Sequence, residues 1–407
     1  MITVRQGCSR SIFVWFPLAV VVLLGLLASP ARAQFGMGMG GGDPMEMSIA
    51  REAVDRYAEI LGFDDVQRET ALMLHREYLD SYKQASDALT DAMRKLQEEA
   101  GRSRDWEAMM KPMGKIMLGW MDRSAELESQ FLSDLRMLAI EPAQEEAFVR
   151  VERAHRREQV GVWGQMVTVS GGTINLFDVA QSVEVDGNGD ARQALLSYEA
   201  EIDPIYERTI DRVSDFTRQQ LKQMQEGFEW DEEAMTRMQE AMTDLSDLGK
   251  QAKSINARYA RQIMQLLPAE RQAAWDREVK ERTWPTVYRK SKVERQMEAA
   301  GKLEDLSSTQ RESLDAMRQS YEREASPINQ RWADAVDKQA ENNEGNWWGW
   351  GQDNSEIEAI QEERNELDDR FVERVRAILT PAQLEAMPEA GESGFDADAV
   401  LRQFGGG

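Results

Sequence analysis

The sequence predicts an all-α protein built from three tandem long helical hairpins, each closed by a proline-started helix, with one small β-hairpin inserted between the first two. Three observations carry this reading. A short phrase recurs as Pro142-Ala143-Gln144, Pro268-Ala269-Glu270 and Pro381-Ala382-Gln383, and each copy has alanine at its sixth position: Ala147, Ala273 and Ala386. A tyrosine stands at a similar distance upstream of each proline, inside a helix-patterned segment: Tyr78, Tyr198 and Tyr321. Between tyrosine and proline the pattern breaks once, at AGRSRDW, EGFEW and EGNWWGW, so that glycine precedes Trp106, Trp230 and Trp347. Repeated order with repeated spacing marks a chain of stacked units rather than one globule. Turns are expected near residues 101–105, 226–230 and 343–352.

Residues 1–33 read as a secretory signal peptide. Arg5 and Arg10 precede an apolar run from Ile12 to Leu27, and Ala31-Arg32-Ala33 supplies a small-residue cleavage signal. The run is short for a bilayer span, and no later stretch approaches the ~20 apolar residues that one needs. The expectation is export to the periplasm or the outside. The one cysteine, Cys8, falls within the signal, so the mature chain is expected to lack disulfides and thiol chemistry. The net charge of -24 argues against nucleic acid as a partner.

Residues 34–50 form a Gly/Met-rich leader, read as a flexible tether. Its pairs Met37/Met39 and Met45/Met47 are thioethers of the kind that suit Cu(I), but so unspecific a motif is assigned no metal.

The first hairpin is placed at 51–160. Its opening, Phe63-Asp64-Asp65-Val66-Gln67, is a capping box: a short oxygen-bearing side chain accepts from the N3 amide while Gln67 reaches back to the N-cap amide. The third hairpin, at 306–388, opens in the same way at Leu306-Ser307-Ser308-Thr309-Gln310, and Thr380-Pro381-Ala382-Gln383 repeats the logic with proline at N1. The predicted capping residues are therefore Asp64, Gln67, Ser307, Gln310, Thr380 and Gln383. In the second hairpin, at 186–285, the capping pair is read as Asp190 with Gln193. Leu314, Met317, Tyr321 and Ile328 keep to one helical face. Pro204 and Pro327, each six residues after its tyrosine, should lie inside and kink the first arm, whereas Gln84 leaves the first copy straighter.

The junction 161–185 contains MVTVS-GG-TINLF, whose β-branched runs around two glycines predict a β-hairpin near 165–177. Asp186 to Asp190 begins like a calcium loop, yet Ala191 and Ser197 stand where glycine and a bidentate glutamate are required, so a plain turn is preferred. Residues 286–305, with Arg289, Lys290, Lys292 and Arg295, read as a solvated basic connector, and 389–407 as a C-terminal tail.

Met113, Met117 and Met121 recur at helical spacing on the first return arm. Such a stripe is either a deformable core seam or an apolar surface that repacks around varied partners. Trp347, Trp348 and Trp350 form a second candidate contact, since EGNWWGWGQDN has no apolar run to cover three indoles. These six residues are the partner-binding candidates. His75 and His155 have no neighbouring Cys, His or Ser in a recognisable arrangement, so neither a histidine metal cluster nor a triad is expected, and no catalytic residue, metal or cofactor is assigned.

Leu379-Thr380-Pro381-Ala382-Gln383 matches the LTxxQ motif of the Spy-like periplasmic chaperones, Leu306-Ser307-Ser308-Thr309-Gln310 is one conservative change from it, and Ile140-Glu141-Pro142-Ala143-Gln144 approximates it. The chain resembles that family in its export signal, its helical hairpins flanked by paired motifs and its methionines. The resemblance implies a helical surface that holds unfolded or envelope proteins without ATP, or a stress-linked metal response. The second copy departs most, closing with Leu266-Leu267-Pro268-Ala269-Glu270. The alternative is a structural or surface spacer that docks glycan or a partner protein through its tryptophans.

Overall fold

The computed structural model describes residues 47–103, 106–163, 169–185, 188–227, 232–342 and 354–387. The described residues are helical, with no strand among them, and they divide into two compact units. One unit holds the described residues up to Val167 together with Asp203–Leu248; the other holds Thr168–Ile202 and the residues from Gly249 onward.

The first unit starts with a helix that the sequence reading had not separated from the arm behind it. α1 (Arg51–Leu61) buries Ala53, Val54, Tyr57, Ala58 and Leu61, and it ends at Gly62 in the left-handed region (φ 63°). Gly62 and Phe63 donate to Glu59 and Ala58, which satisfies the last carbonyls and turns the chain sharply. α2 (Asp65–Ser103) then runs out and α3 (Trp106–Met137) returns, with Tyr82 against Trp120 (ring centroids 5.2 Å) and Tyr78 against Phe131 (5.3 Å). α4 (Pro142–Trp163) starts at the first proline phrase and packs Phe148, Val151 and Ala154 into the core shared with α1.

In the junction the structure departs from expectation. Residues 164–168 lie outside the described set, Val169 to Ile174 form turns, and Leu176 and Phe177 begin α5 (Leu176–Ser182), capped by Asn175 Oδ1 accepting from Phe177 N at 3.1 Å. The predicted second strand, residues 173–177, is therefore a turn and cap that lead into a helix. The glycine pair serves another purpose. A Cβ on Gly172 would come within 3.0 Å of the Gly249 carbonyl, and Asn256 Nδ2 donates to the Gly171 carbonyl at 2.8 Å. Gly171 and Gly172 are there for a close backbone approach, not for a hairpin turn.

α6 (Gly189–Glu226) and α7 (Glu232–Leu266) each contribute one stretch to each unit. They run antiparallel, with Tyr198 beside Tyr259 (5.6 Å) and Arg212 paired to Asp244 (2.6 Å). The cap at the start of α6 is Asn188, whose Oδ1 accepts from Asp190 and Ala191 at 3.1 Å each. The expected pair Asp190 and Gln193 is not the cap; Asp190 is already inside the helix, because Asn188 sits one residue before its first member. α8 (Ala269–Thr283) fixes Trp275 by an indole bond to the Ala260 carbonyl (2.9 Å).

Residues 286–305 are also not a solvated connector. α9 (Pro285–Tyr288) and α10 (Lys292–Gly301) occupy them, and α10 buries Val293, Met297 and Ala300 in the core of its unit. Lys292 is exposed and Arg295 half-buried, while Ser291 and Glu294 form a full capping box. α11 (Ser308–Asn342) and α12 (Ser355–Ile378) pair through Tyr321 and Phe371 (5.3 Å) and through Arg331 to Glu363 (2.6 Å), and α13 (Pro381–Ala386) closes the unit. Leu314, Tyr321 and Ile328 are buried on one face with Met317 half-buried beside them. Helices end or begin at Ser103, Trp106, Glu226, Glu232, Asn342 and Ser355, where the sequence breaks predict turns. Pro204 and Pro327 lie inside α6 and α11, and Pro112 inside α3.

Candidate functional site

The three caps predicted for the first and third hairpins are formed, and each joins something further away. Asp64 accepts from Gln67 N (2.8 Å) while Gln67 Oε1 accepts from Asp64 N (3.0 Å). The free Nε2 of Gln67 donates to the Leu138 carbonyl (2.8 Å) and to Gln144 Oε1 (3.1 Å), and Gln144 Nε2 donates back at 3.0 Å. At the third hairpin Ser307 and Gln310 cap α11, Thr380 and Gln383 cap α13, and Gln310 Nε2 donates to the Ile378 carbonyl and to Gln383 Oε1, both at 2.9 Å. One amide thus closes its own helix start, the C-terminus of the returning arm and the start of the closing helix. At the base of the second hairpin Asn188 does part of this work, its Nδ2 donating to the Leu266 carbonyl at 2.6 Å.

The recurrent tyrosines have an equally regular task. Each sends its hydroxyl to the entry of the short helix that precedes its arm. Tyr78 Oη accepts from Ile49 N (3.1 Å), Tyr198 donates to the Ile174 carbonyl (3.1 Å) and Tyr321 Oη, which donates to Asp368, stands 2.6 Å from Ser291 Oγ. Ile49, assigned to the flexible leader, is instead buried and anchored. Burial pushes the Tyr78 and Tyr321 hydroxyls well above their ordinary value, so both remain neutral donors or acceptors.

Both histidines are buried in hydrogen-bonded packing. His75 Nε2 meets the Ile49 carbonyl at 2.7 Å. His155 stands with Nδ1 3.2 Å from the Tyr57 hydroxyl and Nε2 3.5 Å from Glu128, and Tyr57 donates to Glu158 at 2.7 Å. Burial and then the neighbouring Glu158 charge push the Tyr57 hydroxyl upward. The set fastens α1 to α3 and α4.

The binding candidates separate. Met113 is buried, together with Met109 and Met110, in a seam between α3 and the part of α6 that carries Leu221 and Met224. Met117 and Met121 are half-buried at its edge. The stripe is core at Met113, so that residue is withdrawn as a contact for partners. Trp347, Trp348 and Trp350 lie outside the described residues, as does Asp186.

The exposed apolar side chains lie elsewhere. Val66 (73 % exposed), Met137 (69 %) and Ile140 (80 %) lie near the end of the α2–α3 pair where Gln67 meets Leu138, with exposed Met73 two turns along α2, while Val149, Met235 and Leu266 are exposed at other places. In the third hairpin the matching residue before the proline phrase, Leu379, is buried, and Thr309 takes the place of Val66. The third hairpin base therefore does not repeat these two exposed apolar positions. Sequence reading missed it because Val66 hides within a capping box and Ile140 within a motif copy.

Among the described residues no helix is long and apolar enough to cross a membrane, and no group of His, Cys, Asp or Glu is arranged to hold a metal ion. Comparison with family models, curated proteins and solved structures found no match.

Proposed function

We propose that the chain is an exported, non-enzymatic helical binding protein of chaperone-like character, holding unfolded or envelope proteins on apolar surfaces of its first hairpin. The observation that carries this reading is the exposure of Val66, Met137 and Ile140 at one capped hairpin base. A large aliphatic side chain left in water forgoes about 1.5–3 kcal/mol of burial, which a client's apolar segment supplies on contact. Scattered exposed hydrophobes need no explanation, but three at one end, beside the Asp64–Gln67 capping box and its bond to Gln144, suit a docking surface. The half-buried edge at Met117 and Met121 extends the apolar character along α3. Unbranched thioethers adapt to irregular partners.

The test is aggregation of a chemically unfolded protein on dilution, with and without the chain from residue 34 onward. Suppression at near-stoichiometric amounts without nucleotide is expected. Unchanged light scattering at a severalfold excess would sink the proposal.

A further inference from the structure

The α3–α6 seam of the first unit is unusual in its chemistry. Seven of the chain's 22 methionines converge on it, six from α3 and α6 and Met93 from the flanking α2, so the redox-sensitive side chains are concentrated where these helices meet. Met109, Met110, Met113 and Met224 are buried, whereas Met93, Met117 and Met121 are half-buried and open to small solutes. The helices also approach very closely. A Cβ on Gly114 would stand 2.7 Å from the Leu221 carbonyl and 3.0 Å from Met224 Cβ. A seam that cannot take one more carbon beside Gly114 has little room for an added oxygen.

We propose that this seam is a peroxide-responsive modification site. The sulfur lone pair of Met93, Met117 or Met121 attacks one oxygen of hydrogen peroxide. The O–O bond breaks as the S–O bond forms, and the departing hydroxide takes the remaining proton and leaves as water. The thioether is oxidised to the sulfoxide and the peroxide is reduced. A flexible apolar side chain becomes a polar, pyramidal one in a packed apolar contact, which favours separation of α3 from α6 and admits oxidant to Met109, Met113 and Met224. The edge methionines act as triggers and the buried ones as followers. This inference does not depend on client holding, so the two fail separately.

The experiment treats the full mature chain with graded hydrogen peroxide, maps sulfoxides by peptide mass spectrometry and follows amide exchange over α3 and α6. Oxidation at Met93, Met117 and Met121 is expected to precede that at Met109, Met113 and Met224, with exchange in 109–121 and 217–226 rising about tenfold because a polar atom in an apolar contact opposes repacking. The oxidant-proof variant Met93→Leu/Met117→Leu/Met121→Leu should show no such rise, and methionine sulfoxide reductase should reverse it in the wild type. Sulfoxide at the three edge positions with unchanged exchange overturns the proposal. So does oxidation confined to the exposed Met73, Met137 and Met235, or an equal response in the leucine variant. If that variant loses helix content, the order of oxidation and exchange in the wild-type dose series decides alone.

Discussion

Gln67 and Gln310 show how one side chain organises three chain ends. The carbonyl oxygen closes a capping box while the amide nitrogen reaches the last turn of the returning helix and the glutamine of the closing helix. A helix leaves four carbonyls without partners at its end, so a donor aimed at one of them from the neighbouring helix ties the two ends together. Gln310→Ala should cost about 1–2 kcal/mol, the worth of a cap plus a half-buried acceptor left unmet. Because Gln383 shares the bond, Gln310→Ala and Gln383→Ala combined should cost less than their sum by about 0.5 kcal/mol or more. Native-state amide exchange over α11 and α12 measures both numbers; strictly additive losses would show that the amides do not act as a pair. The caps themselves were legible, since a capping box is a four-residue pattern. The pairing was not, because Gln67 and Gln144 are 77 residues apart and Gln310 and Gln383 are 73 apart.

A short helix, α1, α5 or α10, precedes each of the long helices α2, α6 and α11 and is met at its entry by the recurrent tyrosine. The arms were visible from their helical period. The short helices were obscured in different ways. α10 carried its signature, Ser291 with Glu294 at the start of a stretch holding apolar Val293 and Met297, but the run of basic residues favours a solvated connector in sequence. α5 was obscured by β-branched residues, whose intrinsic preference yields to tertiary packing. Glycine has opposite meanings on one helix. Gly114 faces the Leu221 carbonyl, whereas Gly119 has nothing within 4 Å. Gly114→Ala should destabilise the α3–α6 contact by about 1–3 kcal/mol through overpacking. Gly119→Ala should stabilise α3 by about 0.5–1 kcal/mol, because alanine restricts the unfolded chain at an open helical site. Amide exchange in 109–121 distinguishes the two, and a common sign for both variants would contradict the close approach.

For the whole molecule, composition and repeat order sufficed for an all-α fold, while which apolar side chains stay exposed required coordinates. Spacing puts Met113 on a stripe but cannot say which side the next helix covers, and α6 covers it. Likewise Ile140 and Leu379 occupy equivalent places in the repeated phrase, one 80 % exposed and the other 7 %. The exposed end at Val66, Met137 and Ile140 is therefore the central claim. The direct measurement compares client holding by wild type with that by Val66→Ser/Met137→Gln/Ile140→Ser at matched helix content. These side chains are already in water, so the variant should keep its unfolding curve to within about 0.5 kcal/mol, as surface changes do. Holding should fall several-fold. Full holding by a folded variant would contradict the account and move the contact away from this hairpin base.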